Sequence, residues 1–522
     1  MTAEEFLNLT ARWMFGLSAG FHFLFVPLSI GLLAQVTVLR TVHATQHDRS
    51  HEAAAAYWSK YFVLAWLLGM LTGYPLRMQL TTYWITFMTQ AAPVLEAVMK
   101  VESFLLWPMI ALVLVNTFAG RWLDPRARAA CCWLLLGIVT TQSMCILSVN
   151  AWMQVPAVLP HDADQRPVSE RLAMLLVHPV TLNKAWHTIS AAMVCGSFFV
   201  FAVAGLWTLS HRHRSVARAS IGVAVWLGLA GSVSTLWSGH TGAAHVAHLQ
   251  PMKFAAIEGH WRSTSNPSPL ILWARPMEGE ARNLNVLEIP TLGSLLRDGS
   301  LAPSPGVLDL RDRLIGIAPP SVNGVVDPQF SGLANLEEVV AARMGSRWAR
   351  LSREEQVAAV ADAARPPVSV LFVLFRVMVA SGVACLVLCA LAVWFRRRLC
   401  EGRAPTLSVL LVALSPLPWI AILCGWAVAE IGRQPWTIYG KLPTAMAGGL
   451  PSAHHGFVAW TTMIVAVAEL TLLFGAAAAS IWHLGPAGRK KGSHVIRDRL
   501  RPTKSAARRL GLAGTGSVEP RT

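Results

Sequence analysis

Four side chains able to ligate iron lie inside, or at the edge of, long apolar runs. They are His22 in "FHFLFVPLSIG", His187 in "NKAWHTIS", Met378 in "LFRVMVASG" and Glu430 in "GWAVAEIGRQPW". Most of the seventeen histidines fall in connections, which sets these two apart. An imidazole in an apolar helix has two uses: it hydrogen-bonds a neighbouring helix, or it serves as an axial ligand to haem iron, a role that helix bundles position well. A thioether opposite an imidazole makes a six-coordinate, electron-transferring haem of raised potential. With seventeen methionines in the chain, core packing is the simpler reading of Met378. Its neighbour Arg376 is less ordinary, because a guanidinium that deep in an apolar run needs a carboxylate or a haem propionate as counter-ion. On spacing alone, Glu430 and Arg433 make a salt bridge at a membrane edge.

Two further groups carry charge where charge is costly. "PVLEAVMKVESFLL" holds Glu96, Lys100 and Glu102. The first two are spaced i, i+4 and neutralise each other on one helix face. Glu102 is left without a local partner, so it is a candidate for proton movement, with an interhelical hydrogen bond as the plain alternative. In "HLQPMKFAAIEGHW", Lys253 and Glu258 are five residues apart and do not share a helix face. A solvated segment capping the bundle accounts for that spacing.

The elements that must hold these residues are transmembrane helices. The chain has 522 residues, 54% hydrophobic and only 14% charged, where a soluble domain carries about 25%. About nine runs are long enough to cross a bilayer, near 11–38, 57–76, 92–118, 129–150, 184–208, 219–239, 367–394, 407–431 and 457–482. The expected fold class is all-α, a polytopic bundle of about nine transmembrane helices. The first run is too long, and followed by too many others, to read as a cleaved signal peptide. The expected organisation is 1–239 for the first six helices, 240–366 for a large extracytoplasmic loop, 367–485 for helices seven to nine, and 486–522 for a basic tail.

The net charge of +16 does not point to nucleic acid. Its arginines cluster in alternate short connections, at Arg121, Arg126 and Arg128, then Arg212, Arg214 and Arg218, then Arg396, Arg397, Arg398 and Arg403. The positive-inside rule makes these segments cytoplasmic. With nine spans the amino terminus is then periplasmic and the tail cytoplasmic. The eight cysteines lie in spans or at their ends and form no CxxC pair, which disfavours disulfides or zinc. Residues 262–328 are rich in Pro, Gly and Ser, whereas 333–364 are helical in pattern, with "SREE" at 352–355 as a capping box. No GxxxxGK[ST], HExxH or GxSxG motif appears.

Taken together, five segments resemble subunit I of the cytochrome bd quinol oxidases: "FHFLFVPLSIG" at 21–31, "NAWMQVP" at 150–156, "KAWHT" at 184–188, "QPMKFAAIE" at 250–258 and "GWAVAEIGRQPW" at 425–436. "FRVMVASG" at 375–382 supports them. The resemblance covers most of the chain and implies a quinol:oxygen oxidoreductase of the bacterial inner membrane. It implies that His187 and Met378 are the axial pair of a low-spin haem b. It implies that His22 and Glu430 ligate two high-spin haems, one haem b and one haem d, without deciding which takes which. Lys253 and Glu258 become quinol-loop residues, Arg376 and Arg433 partners of haem charge, and Trp426 a ring between haems. The implied partners are cytochrome bd subunit II, a small single-span subunit, membrane lipids, and ubiquinol or menaquinol.

One region departs from the family. Residues 73–84 read "GYPLRMQLTTYW", where the family reads roughly Gly-x-x-x-Glu-Phe-Gln-Phe-Gly-x-Asn-Trp. Arg77 stands for the acid, Thr81 for the glycine and Tyr83 for the asparagine. Counted from Trp84, Ile110 occupies the place of a second glutamate beyond Glu102, and His240 stands where an acid is expected. The expectation is a divergent member with an altered proton path. A b-haem-only oxidase, and a sensor or transporter that retained the bundle without turnover, are the alternatives.

Overall fold

In hydrocarbon every backbone polar group must be satisfied within the element, so the apolar runs become helices. The computed structural model describes residues 3–449 apart from 160–164, 264–266, 300, 302 and 317–331, with a few positions between 460 and 471. The chain divides into two units, Met1–Met463 and Ile464–Thr522, and all elements named below belong to the first. Among the described residues, eight helices are long and apolar enough to cross a membrane. The expected ninth span, 457–482, and the tail from 486 lie almost wholly outside the described residues.

The amino-terminal half is built from α1 (Ala3–Gln46), α2 (Arg49–Tyr83), α3 (Ile85–Leu114), α4 (Pro125–Gln154), the short α5 (Val168–Val177), α6 (Pro179–Leu209) and α7 (Arg214–Leu249). Asp48 and Asp124 cap α2 and α4 by accepting from Ser50 N and Ala127 N, satisfying amides that the first turn leaves free. Helix α7 runs on to Leu249, past the expected boundary at 240, so the first ten residues assigned to the loop extend the sixth span.

Outside the bundle come α8 (Pro251–Glu258), a hairpin of β1 (Leu270–Met277) and β2 (Arg282–Ile289), then α9 (Leu292–Asp298), α10 (Val307–Gly316), α11 (Leu333–Met344) and α12 (Arg353–Ala363). The Ser352–Glu355 capping box is formed in full. The hairpin lies within 262–328, the segment rich in Pro, Gly and Ser. The chain re-enters through α13 (Val368–Trp394), α14 (Arg396–Cys400), α15 (Pro405–Ala413) and α16 (Leu417–Ile431), and a small pairing of β3 (Trp436–Ile438) with β4 (Leu442–Pro443) follows.

The tightest helix contact in the bundle sets the height of two candidate ligands. A Cβ on Gly196 would lie 2.7 Å from Gly31 Cα, and one on Gly31 would lie 2.7 Å from Gly196 N. Helices α1 and α6 therefore touch backbone to backbone. Successive spans alternate in direction, so α1 and α6 run parallel. His22 precedes Gly31, and His187 precedes Gly196, by the same nine residues, which puts both imidazoles about 14 Å from the crossing on one side. Gly196→Val has no flexible neighbour to displace and should cost at least the about 1–3 kcal/mol typical of overpacking. The expected result is a severalfold fall in haem bound per polypeptide in the purified complex. Full haem content would refute the crossing.

Candidate functional site

His22 sits on α1 opposite α2. Its Nδ1 lies 2.9 Å from Thr72 Oγ1. The Thr72 hydroxyl donates to the carbonyls of Leu68 and Gly69, each at 2.9 Å, so its oxygen is left to accept. The network therefore places the ring proton on Nδ1 and leaves Nε2 as the free lone pair. His187 repeats this arrangement. Its Nδ1 is 3.1 Å from Ser238 Oγ on α7, and Ser238 donates at 2.8 Å to the Ser234 carbonyl. The tautomer that donates from Nδ1 to Ser238 again leaves Nε2 unprotonated, the form an iron ligand requires, with the second ring nitrogen held by a neighbour.

Each donor also faces a residue with no side chain. A Cβ on Gly73 would meet the His22 ring at 3.4 Å, and one on Gly239 would meet His187 at 3.3 Å. On α16, a Cβ on Gly425 would approach Met378 Sδ to 3.0 Å. Trp426, the next residue, packs against Phe23 at 5.6 Å between ring centroids, and Phe23 in turn lies 6.4 Å from the His22 ring. Helix α16 thus touches both the Met378 and the His22 neighbourhoods.

Glu430 lies at the end of α16 in a buried cluster of polar groups. Asn150 donates to its Oε1 at 2.9 Å and Arg433 to its Oε2 at 2.5 Å. Lys184 donates to Asn150 Oδ1. One turn further out, Lys253 donates to Gln154 Oε1 and to the Ala429 carbonyl, both at 3.1 Å, and Gln250 donates to the Gln154 carbonyl at 2.8 Å. Lys253 and Arg433 are only 5% and 4% exposed. Three cations therefore surround one carboxylate. Burial, with the Lys184 charge beside it, pushes the Lys253 ammonium down to about 7, and the attraction of Glu430 opposes this only in part. Arg433 Nε and Nη1 are buried without a partner among the described residues. Such surplus positive charge suits an anion. A small cavity beside the cluster is lined by Met252, Lys253, Gly432, Gln434, Trp436 and Tyr439.

Arg376 has a carboxylate as its counter-ion, one of the two expected choices. Its guanidinium pairs with Glu258 Oε2 at 3.0 Å and donates to the carbonyls of Ile271 at 2.7 Å and Ile257 at 3.2 Å. It also lies over the Phe372 ring at 4.5 Å. The counter-ion that sequence left open is thus a loop carboxylate, and Arg376 clamps α8 and β1 onto α13. Lys253 and Glu258 project about 140° apart around α8, the first toward α4 and α16 and the second toward α13.

Glu96 and Lys100 form the expected pair at 2.8 Å. The Glu102 carboxylate has no hydrogen bond among the described residues; Gln142 reaches only its backbone carbonyl, at 3.4 Å, and Arg77 is the cation whose charge acts on it. Sequence reasoning did not assign Asn150, Gln154, Lys184, Gln250, Thr72 or Ser238 a part in the site. Asn150, Gln154, Lys184 and Gln250 stand inside the motifs quoted above, and their polar type was the available signal.

A multi-pass helical bundle that holds two Nε2-free imidazoles and a thioether facing glycines, beside a buried cluster of cations, defines a membrane protein built for haem and redox chemistry. The chain belongs to the family of cytochrome bd terminal oxidase subunit I, whose model matches residues 10–486. It is 31% identical over 464 residues to the cytochrome bd-II ubiquinol oxidase subunit 1 of Escherichia coli (strain K12), covering 84% of this chain and 88% of that one. It is 25% identical over 472 residues to the cytochrome bd ubiquinol oxidase subunit 1 of Bacillus subtilis (strain 168), covering 89% and 90%. In fold it resembles the bd oxidase structure from Geobacillus thermodenitrificans, with a TM-score of 0.71 at 22% identity over 92% of this chain and 99% of that one. Members of the family are haem-containing subunits of multi-subunit membrane complexes.

Proposed function

We propose that this chain is the haem-bearing subunit of a terminal respiratory oxidase that oxidises quinol at the outer membrane face, reduces oxygen to water and thereby builds a proton gradient. The observation that carries the reading is the pair of imidazoles whose Nδ1 atoms are held by Thr72 and Ser238, leaving both Nε2 atoms free. In this reading His187 and Met378 hold a low-spin haem b. His22 and Glu430 hold the two high-spin haems, a haem b and a haem d. Arg433, with its two unpartnered nitrogens, takes a propionate. Bound there, haem iron supplies one-electron transfer and the reduction of oxygen.

The remaining steps belong to the chain's own side chains. Lys253 lines the cavity at the head of α8 and donates a hydrogen bond that orients a quinol oxygen. Glu258, oriented by Arg376, takes up a proton as quinol is oxidised. Trp426 keeps the space between the His22 and Met378 sites filled and dry. Glu102 holds a proton on the path from the inner face to the site of oxygen reduction. The arginine clusters in alternate connections support a periplasmic amino terminus and a cytoplasmic tail in the bacterial inner membrane. The partner is cytochrome bd subunit II, with a small single-span subunit and lipid around the pair, and the donor is ubiquinol or menaquinol.

A reduced-minus-oxidised spectrum of the purified complex tests the reading. Absence of any haem signal would end it. A b-type signal without a long-wavelength d-type band would identify a b-only enzyme, the second reading that the departures at Arg77, Thr81 and Tyr83 favour. Glu102→Gln is expected to keep the haem spectrum while lowering quinol-driven oxygen uptake about 100-fold, the low end for loss of a positioned proton carrier. Unchanged uptake would return Glu102 to a structural role.

A further inference from the structure

His260 follows α8 directly, two residues after Glu258, and neither the motifs nor the proposed chemistry employs it. It is 4% exposed, and neither ring nitrogen has a hydrogen-bond partner among the described residues. A buried imidazole with both nitrogens unsatisfied loses the bonds it would make in water, about 1–3 kcal/mol for each orphaned group. Its position is nonetheless firmly set. Gly259 before it accepts from Asn283 Nδ2 at 2.8 Å, and Trp261 after it donates to Asn283 Oδ1 at 2.9 Å. The His260 carbonyl accepts from Val307 N at 2.9 Å. Asn283 of β2 therefore grips the chain on both sides of the imidazole and holds it against the hairpin.

The same knot contains two carboxylates. Glu258, 8% exposed, is fixed by Arg376. Arg376 also bonds the Ile271 carbonyl, and Ile271 is paired across the hairpin with Glu288, which is exposed. The charged groups that act on His260 are thus Glu258 on α8, Glu288 on β2 and Arg376 on α13. The Pro269 carbonyl lies nearby without a well-formed bond.

We propose that His260 is a proton relay for quinol oxidation, taking the proton that Glu258 receives and passing it through Glu288 to the outer solution. The inference rests on the quinol oxidase reading. Oxidation of a quinol to a quinone releases two protons and two electrons. The electrons are consumed in reducing oxygen, and the two protons leave in turn, each moving from a quinol hydroxyl to the Glu258 carboxylate, from there to an imidazole nitrogen of His260, and from its other nitrogen outward. Burial keeps the imidazole below the usual histidine pKa, opposed by Glu258, so at neutral pH it is the unprotonated acceptor such a step requires. The order of burial, with two enclosed groups followed by an exposed carboxylate, gives the route its direction.

The test compares wild type, His260→Gln and Glu288→Gln in the complete complex. Each is assayed for oxygen uptake driven by quinol and by reduced tetramethyl-p-phenylenediamine, a donor that releases no proton. His260→Gln should lower the quinol-driven kcat about 100-fold, with KM changed less than about twofold, the haem spectrum intact and diamine-driven uptake unchanged. Glu288→Gln should lower the quinol rate about threefold. An equal fall with both donors, or a wild-type quinol rate and pH profile in His260→Gln, overturns the relay. Should His260→Gln fail to assemble, the exposed Glu288→Gln decides, and an unchanged quinol rate there overturns it. A wild-type complex with no quinol-driven uptake would instead sink the oxidase reading itself.

Discussion

His187→Ala is expected to abolish the low-spin haem signal and to reduce quinol-driven oxygen uptake to background. The imidazole has been prepared for a ligand at some cost. It lies in a membrane span, its Nδ1 proton is spent on Ser238, and its Nε2 is left free rather than paired with a neighbouring helix. A histidine kept only for packing would gain by satisfying both nitrogens. The same argument separates ligand from support. Ser238→Ala should weaken haem retention about 10–100-fold, the usual effect of losing the group that orients a ligating histidine. Thr72→Ser on the His22 side keeps the hydroxyl and should be nearly silent, while Thr72→Ala should mirror Ser238→Ala. Haem titration of the purified variants, read by optical spectrum, distinguishes the cases. An unaltered low-spin spectrum in His187→Ala would remove it from the ligand set.

Much of this architecture was legible in the sequence because a bilayer leaves little choice. Eight apolar runs became eight spanning helices, and "SREE" became a capping box, since both signals are local. The hairpin was not legible. Its strands carry irregularities between Ile271 and Trp273 and between Trp273 and Arg275, which break the period of two, and it leaves Leu272, Trp273 and Leu287 exposed. Long-range electrostatics were the other blind spot. Sequence showed that Arg376 needs an anion but could not choose between a propionate and Glu258, 118 residues away. Likewise Asn150, Lys184 and Glu430 come from three helices, and no spacing within any one of them announces that they converge.

That convergence makes Glu430 the position where charge and shape can be separated. Glu430→Gln keeps the volume and can keep the Asn150 bond, but it leaves the half-buried Lys184 and the buried Lys253 and Arg433 without a balancing carboxylate. Removing one member of a buried ion pair typically costs about 3–5 kcal/mol, because the other charge is stranded; here the stranded partner is Arg433. Haem propionates would offset part of this, so the folded complex should survive while the haem ligated by Glu430 is lost. The expected spectrum retains the low-spin signal of the His187–Met378 site and lacks one high-spin component. Glu430→Leu removes the hydrogen bond as well and should fail to assemble. The double variant Glu430→Gln/Arg433→Met tests the electrostatic account directly. It removes one stranded cation and should recover stability lost in Glu430→Gln without recovering the high-spin haem, because the anionic carboxylate is still gone. If a purely structural salt bridge were all that Glu430 and Arg433 supplied, the double variant would restore the complete haem spectrum together with the stability.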